Sequence, residues 1–397
     1  MLIREKPTEL HAEEHGLSSR IRDARLSRGW SQSRLVHEIE RRLAAAGQPT
    51  VTTASLKVYI SEWENSRRAI GPEYRAVLRE VFGQTDGELF AVDPERELPS
   101  LDEAYTELAD KIETATAIDP LMIDTLVQQT ELFRTMDRQL GAAILVDRMN
   151  AHLATLENAL AYAVLPTARR PVAKVLASAS TLAGWQALDV GAVDRAWRHY
   201  ETARRAAVEA ENPALLAHAM GEQAYVLVDA GRTNLAVQLI REARRSALGR
   251  SPARLLAWLA AAEAEMTAIS GDDLACRAAL DEASAALPSG AESRDADVPG
   301  VFLNESHLAR WRGNALAQLG DAGALADLHR ALDRLDPTFA RAQAGLRIDL
   351  GQAYYASGEL GEARRQAGQA RMLVNRTGSL RHRRRLDRLM LSLANVV

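Results

Sequence analysis

Cysteine is almost missing from this chain: Cys276 stands alone among 397 residues. A single thiol excludes an internal disulfide framework and any metal site built on several cysteines. Aromatic residues make up only 5%, and the clusters of β-branched residues and turn signals that mark strands are scarce. No uninterrupted apolar run approaches the about 18 residues of a membrane span. The first residues, Met1–Leu17, carry charge throughout where a signal peptide would be apolar. A cytoplasmic protein that touches no membrane is expected.

Abundant instead are Ala and Leu, which dominate the 47% of hydrophobic residues, and charged residues at 26%, the basic ones nearly all arginine. Ala, Leu, Arg and Glu are strong helix formers, so the expected fold class is all-α. The chain is too long for one ordinary core, and two or three domains are expected. Its net charge of −4 averages over an asymmetry: residues 17–82 hold 12 Arg or Lys against 7 Asp or Glu, a locally basic stretch in a mildly acidic chain.

Residues 1–16 read as a flexible polar tail. His11-Ala12-Glu13-Glu14-His15 formally fits one metalloprotease pattern, but that chemistry needs a buried helix, a third ligand and a polarised water. The match is set aside. A first helix follows, capped by Ser18 or Ser19, with Leu17, Ile21, Ala24 and Leu26 inward and Gly29 closing it. Trp30 enters the core. Ser31 caps a second helix from Gln32 to about Ala46, which buries Leu35, Val36, Ile39 and Leu43. Thr53 is the expected cap of a third helix, in which Leu56, Ile60 and Trp63 face inward at i, i+4 and i+7. Tyr74–Phe82 and Asp86–Phe90 complete this domain, residues 17–90.

Two stretches in order, Ile21-Arg22-x-x-Arg25-x-x-x-Gly29-Trp30-Ser31-Gln32 and Ile60-Ser61-x-Trp63-Glu64-Asn65-x-Arg67-Arg68, resemble the phage-repressor-like Xre (Cro/C1-type) helix-turn-helix family. The resemblance implies a DNA-binding domain in which Arg25 pairs with Glu64 and ties the first helix to the recognition helix. It implies that Gln32 meets a phosphate at a helix N-terminus, with Asn65, Arg67 and Arg68 on the other side of the backbone. Base reading then falls to Thr53, Ser55, Lys57, Val58, Tyr59 and Glu62. Gln32 to Asn65 is roughly a dozen residues longer than the shortest such arrangement, which lengthens the second helix and the turn after it.

Residues 91–100 contain Asp93-Pro94 and Leu98-Pro99-Ser100 and read as a linker. Residues 101–170 form a helical connector and possible dimer seam. One helix there starts at Asp119-Pro120 with Leu121, Leu126, Leu132 and Phe133 inside. A long one, Leu140–Leu165, is striped by Leu145, Met149, Leu153, Leu156 and Leu160 and ended by Pro166.

From Pro171 to the end, residues 171–397, the chain repeats itself. Glycines mark turns at Gly191, Gly231, Gly271, Gly320 and Gly358, at intervals of 40, 40, 49 and 38 residues. Seven residues before each stands a small residue: Gly184, Ala224, Ala264, Gly313 and Gly351. Five after come Ala196, Ala236, Cys276, Leu325 and Ala363, and twelve after come Ala203, Ala243, Ala283, Leu332 and Ala370. These offsets resemble tetratricopeptide repeats in a relaxed form, the fourth departing at Leu325 and Leu332. The longest interval holds Ser289–Pro299, expected to be a mobile loop. Leu380–Ala394 reads as a capping helix with Arg381, Arg383, Arg384, Arg385 and Arg388 outward. In such arrays the first helices line a concave partner-binding face. That implication singles out Trp185, His218, Tyr225, Trp258, Glu265, His307, Arg310, Asn314, Gln352 and Tyr355, with Arg310 and Asn314 one turn apart and able to hold a carboxylate or a peptide backbone.

Together the two resemblances imply a homodimeric, sequence-specific transcriptional regulator. It would bind a double-stranded DNA operator under the control of a peptide, small-molecule or protein effector. The alternative is a non-DNA-binding adaptor whose repeats recruit a protein. No phosphate-binding glycine loop, metal cluster or nucleophile beside a base supports an enzyme, and no cofactor or metal is expected.

Overall fold

The computed structural model describes residues 14–47, 51–64, 68, 70–90, 101–289, 295, 298–321, 323–336 and 338–395. The tail before Glu14, Asn65, Arg67, the linker 91–100 and most of 290–297 lie outside the described residues. Within them the chain is all-α, with nineteen helices and one isolated Asp295–Val298 bridge in place of any strand. It divides between Thr106 and Glu107 into two compact units.

The first unit packs α1 (Glu14–Leu26), α2 (Gln32–Ala45), α3 (Thr53–Glu64), α4 (Pro72–Phe82) and α5 (Asp86–Phe90). α1 begins ahead of Ser18 and Ser19, so neither caps it. Leu26 is 54% exposed, not inward. It lies five residues beyond Ile21, about 140° round the helix, and Arg25 takes the buried place beside Ala24. Ser31 caps α2 by accepting the Arg34 N–H. The cap of α3 is Thr52, one residue earlier than expected, its hydroxyl accepting the Ser55 N–H at 3.2 Å. Leu35, Ile39, Leu56, Ile60 and Leu78 are fully buried around Trp63 and Phe82, and Trp30 stacks on Phe82 at 6.1 Å.

α6 (Leu101–Thr116) spans the division between the units. The second unit continues with α7 (Pro120–Leu140) and α8 (Val146–Tyr162). The single helix expected over Leu140–Leu165 is broken at Gly141, whose φ of +88° leaves the helical region and whose missing Cβ would stand 2.4 Å from the Thr377 carbonyl oxygen. Pro166 starts the next helix instead of ending one, and Pro171 lies inside it. Leu121 and Leu132 are exposed, because the inward face of α7 runs through Leu126, Thr130, Phe133, Arg134 and Asp137.

Five helix pairs follow: α9 (Pro166–Asp189) with α10 (Val193–Glu209), α11 (Pro213–Asp229) with α12 (Thr233–Ala247), and α13 (Ala253–Ile269) with α14 (Asp273–Ala286). The remaining two are α15 (Glu305–Gln318) with α16 (Ala324–Asp333), and α17 (Ala340–Ala356) with α18 (Leu360–Thr377). α19 (Leu380–Ala394) ends the chain. Short turns make each pair antiparallel. All five turn glycines have φ between +71° and +82°, a region that favours glycine. Helices also need small residues where they cross. A Cβ on Gly184 would meet the fully buried Tyr200 ring at 2.7 Å. In α16 the buried small positions are Ala324 and Ala331, one residue ahead of Leu325 and Leu332, so the fourth pair keeps its small contacts by shifting register.

The first helices form an inner row, α9, α11, α13, α15 and α17, each touching the next. The row closes on itself: α7 touches both α17 and α9, and so does α19. The part of the Ser289–Pro299 loop that is described is packed, not loose. Val298 is buried together with Val301 and Leu303 just beyond it, and Arg254 holds the segment through the Leu303 carbonyl and, at 3.5 Å, Asp295.

The crossings yield a paired prediction. Gly184→Ala would drive a methyl into Tyr200 and should destabilise the second unit by about 1–3 kcal/mol. Gly368→Ala, in α18 with nothing within 4 Å of its Cβ position, should stabilise it by about 0.4–1 kcal/mol. Thermal melts of the two variants should move in opposite directions.

Candidate functional site

In the first unit, Arg25 and Glu64 meet as a two-point pair, Nε to Oε1 at 2.6 Å and Nη2 to Oε2 at 2.9 Å, both residues buried. Arg25 Nη1 also donates to the Trp30 carbonyl at 2.8 Å. Gln32 Nε2 donates to Glu64 Oε2 at 2.9 Å, so its amide is turned onto this pair. The guanidinium thus joins α1, the α1–α2 turn and the end of α3.

The candidate base readers separate into two groups. Thr53 donates to Glu40 at 2.6 Å, and Ser55 is bonded to Thr52 at 2.9 Å. Tyr59 is half-buried against Trp63 and Tyr74, with the Arg68 guanidinium 3.7 Å over its ring. Arg68 also pairs with Glu62 at 3.3 Å. Lys57 and Val58 are exposed, Val58 at 53%. The exposed residues of α3 are Thr53, Ala54, Lys57 and Val58, of which Lys57 and Val58 sit mid-helix on a face away from the buried Leu56, Ile60 and Trp63.

In the second unit the closed row surrounds a cavity of about 260 Å³. Trp185, His218, Tyr225, Trp258, Glu265, His307, Arg310 and Asn314 all line it. Gln352 and Tyr355 do not: α19 packs on that part of α17, where Leu389 would stand 2.6 Å from a Cβ on Gly351, and Tyr355 packs against the same apolar cluster. Three aromatic rings form a connected wall, with Trp258 and Trp311 centroids 5.7 Å apart and Tyr225 and Trp311 6.4 Å apart.

The cavity also gathers charge that the repeat pattern did not reveal. Arg341 pairs with Asp137 at 2.5 Å and reaches Asp189 at 3.9 Å, and Ser379 donates to Asp189 at 2.6 Å. Burial raises the Asp189 carboxyl above its ordinary value despite these partners. Arg381 and Arg385, expected outward on α19, turn inward. Arg381 bonds Asp229 at 2.9 Å and lies 5.2 Å over Trp185, while Arg385 bonds Asp349. Their spacing of one turn on α19 was the available signal, but on a terminal helix it reads equally as a solvated stripe. Asn314 Nδ2 donates to Asp349 at 2.7 Å. Burial, then Arg310 and Arg138, pushes the His307 imidazole down to about 4, and burial among four arginines holds His382 well below its ordinary value. Neither of these two imidazoles therefore adds positive charge near neutral pH. Cys276 is buried in α14, its thiol pushed up to about 11, which makes it a poor nucleophile.

Comparison of the sequence with protein-family models and with curated proteins returns no match. Among the described residues no group of His, Cys, Asp or Glu is arranged to hold a metal ion, and no helix is long and apolar enough to cross a membrane.

Two outcomes test these contacts. Glu64→Ala leaves Arg25 buried and unpaired and should destabilise the first unit by about 3–5 kcal/mol. In urea unfolding, the double variant Arg25→Met/Glu64→Leu should recover part of that loss. For His307, unfolded chains take up a proton near 6.5 and the folded protein only near 4. Between those values the unfolded state binds more protons, so stability is lost as the pH is lowered from 6.5 towards 4. His307→Asn should flatten this fall by roughly 1–3 kcal/mol, read from the melting temperature of the second unit across that window.

Proposed function

We propose that the protein is a sequence-specific DNA-binding transcriptional regulator, acting as a homodimer, whose operator affinity answers to a ligand in the central cavity of its second unit. The observation that carries the DNA-binding half is the exposed Lys57–Val58 surface of α3, set in the locally basic stretch of residues 17–82 and braced from behind by Arg25–Glu64. A helix fits the major groove, where a lysine can reach guanine acceptors or a phosphate and an apolar side chain meets the thymine methyl. Arg68, held over Tyr59 with its side chain partly exposed, supplies charge beside that helix.

The two resemblances in the sequence support the same reading, including a two-fold dimer on a pseudo-palindromic operator. The aromatic and arginine-rich cavity supports a sensor role. A ligand can alter operator affinity only by binding two geometries of the dimer unequally.

The test is a genomic-fragment pull-down with the full-length protein and with Lys57→Ala/Arg68→Ala. Enrichment of a few sites, lost in the variant, is expected. Each phosphate contact removed should lower the slope of log affinity against log salt by roughly 0.9. Salt-insensitive behaviour with no enriched site, in the presence or absence of a cavity ligand, would instead favour the protein-recruiting adaptor.

A further inference from the structure

We propose that the central cavity takes a small aromatic carboxylate, with its carboxylate on Arg310 and its ring against the wall of Tyr225, Trp258 and Trp311. This rests on the reading of the cavity as an effector site and names the chemical class of the effector.

The charge pattern carries the proposal. Arg341, Arg381 and Arg385 are each held by an aspartate, and Arg134 is bonded to Glu131 and Ser178. Arg310 has no hydrogen bond or ion pair among the described residues. The two carboxylates that act on it through space are engaged elsewhere: Asp349 with Asn314 and Arg385, and Glu265 with the Tyr225 hydroxyl at 2.9 Å. The guanidinium lies against Gly345, where a Cβ would be 2.9 Å from Nη2. Any side chain at residue 345 would crowd it.

Arg310 is half-buried, with its guanidinium on the cavity wall, and a charge drawn partly out of water is unfavourable until it is paired. An arginine cannot relieve that by losing its proton, so a counter-anion is the remaining means. A guanidinium presents two parallel N–H groups that match the two oxygens of a carboxylate. One unpaired cation calls for one negative charge, which favours a monoanion over a phosphate dianion.

The remaining features concern the body of the ligand. Arg310 and its neighbours Phe302, His307 and Phe339 line both the central cavity and an adjoining one of about 180 Å³. The volumes sit at or below the lower end of typical small-molecule sites, about 300–1,000 Å³. That suits a compact ligand better than an extended peptide. Rings prefer edge and offset contacts with other rings, which the Tyr225–Trp311–Trp258 wall offers. The buried Asn314 Oδ1, one helical turn from Arg310, is without a hydrogen-bond partner and can accept from an N–H or O–H on the ligand.

Binding can be read directly, without DNA, because three of the six tryptophans line the cavity. The full-length protein would be titrated with benzoate, phenylacetate and indole-3-acetate, and with the corresponding primary amides, following tryptophan fluorescence and calorimetric heat. The acids should bind and the amides should be weaker by roughly ten- to hundredfold, the range of a charge-assisted hydrogen bond. Arg310→Met and Arg310→Gln should lose the acids by a similar factor and keep or raise the melting temperature of the free protein, with Arg310→Lys intermediate in binding.

Equal binding of acids and amides, binding of the acids by Arg310→Met as by the wild type, or no binding by either series would each overturn the proposal. So would a lowered melting temperature in both apolar and amide variants, which would make Arg310 structural. Tight amide binding that ignores Arg310 would leave a ligand site of another class. The DNA-binding reading is decided separately by the fragment pull-down.

Discussion

The second unit depends on how buried charge is neutralised where its helical row closes. Arg341 on α17 faces Asp137 on α7 and Asp189 on α9, and Ser379 at the start of α19 donates to the same Asp189. Each aspartate is about 1% exposed. Away from water such groups are tolerated only when paired and hydrogen-bonded. The network therefore requires α7, α9, α17 and α19 to meet in one arrangement. Glycine at position 141 lets the end of α7 approach the Thr377 carbonyl, and Gly184 and Gly351 let neighbouring helices close to contact.

That closure converts a run of helical pairs into a partly covered cavity. An open row would leave Trp185, Tyr225 and Trp258 on a solvated concave face. Here α7, α19 and the packed segment around Val301 cover them, and arginines from the covering helices enter the same space. Most of that charge is spent on holding the ring together. Among the described residues Arg310 is the exception, a cation on the cavity wall with no hydrogen bond or ion pair.

The first unit uses the same physical device on a smaller scale. Arg25 bonds Glu64 at two points and the Trp30 carbonyl at a third. Leu56, Ile60 and Trp63 anchor the inner face of α3 in the core. Holding both the end and the inner face of one helix leaves its outer side, with Lys57 and Val58, rigidly presented.

The pairing of Arg25 with Glu64, 39 residues apart, came only from the resemblance. Local chemistry was enough to read the all-α class and the glycine-turned helix pairs, because helix propensity, 3.6-residue periodicity and turn glycines act over a few residues. Eight of the ten concave-face residues line the cavity for the same reason: a fixed offset from each turn selects one side of each first helix. Caps and ends were legible only to within a residue or a turn, as Thr52 in place of Thr53 and the break at Gly141 illustrate. Which side of α7 and α19 faces inward was not legible. Arg381 and Arg385 have the spacing of a solvated stripe, and only the closing of the ring, joining residues more than 200 apart in the chain, turns them into the cavity. The same tertiary closure removes Gln352 and Tyr355 from the cavity and leaves Arg310 without a partner among the described residues. The sequence alone determined the repeating helices and the inward side of most of them. Only the tertiary structure decided where charge is paired and where it is left over, because that balance depends on partners brought together from distant parts of the chain.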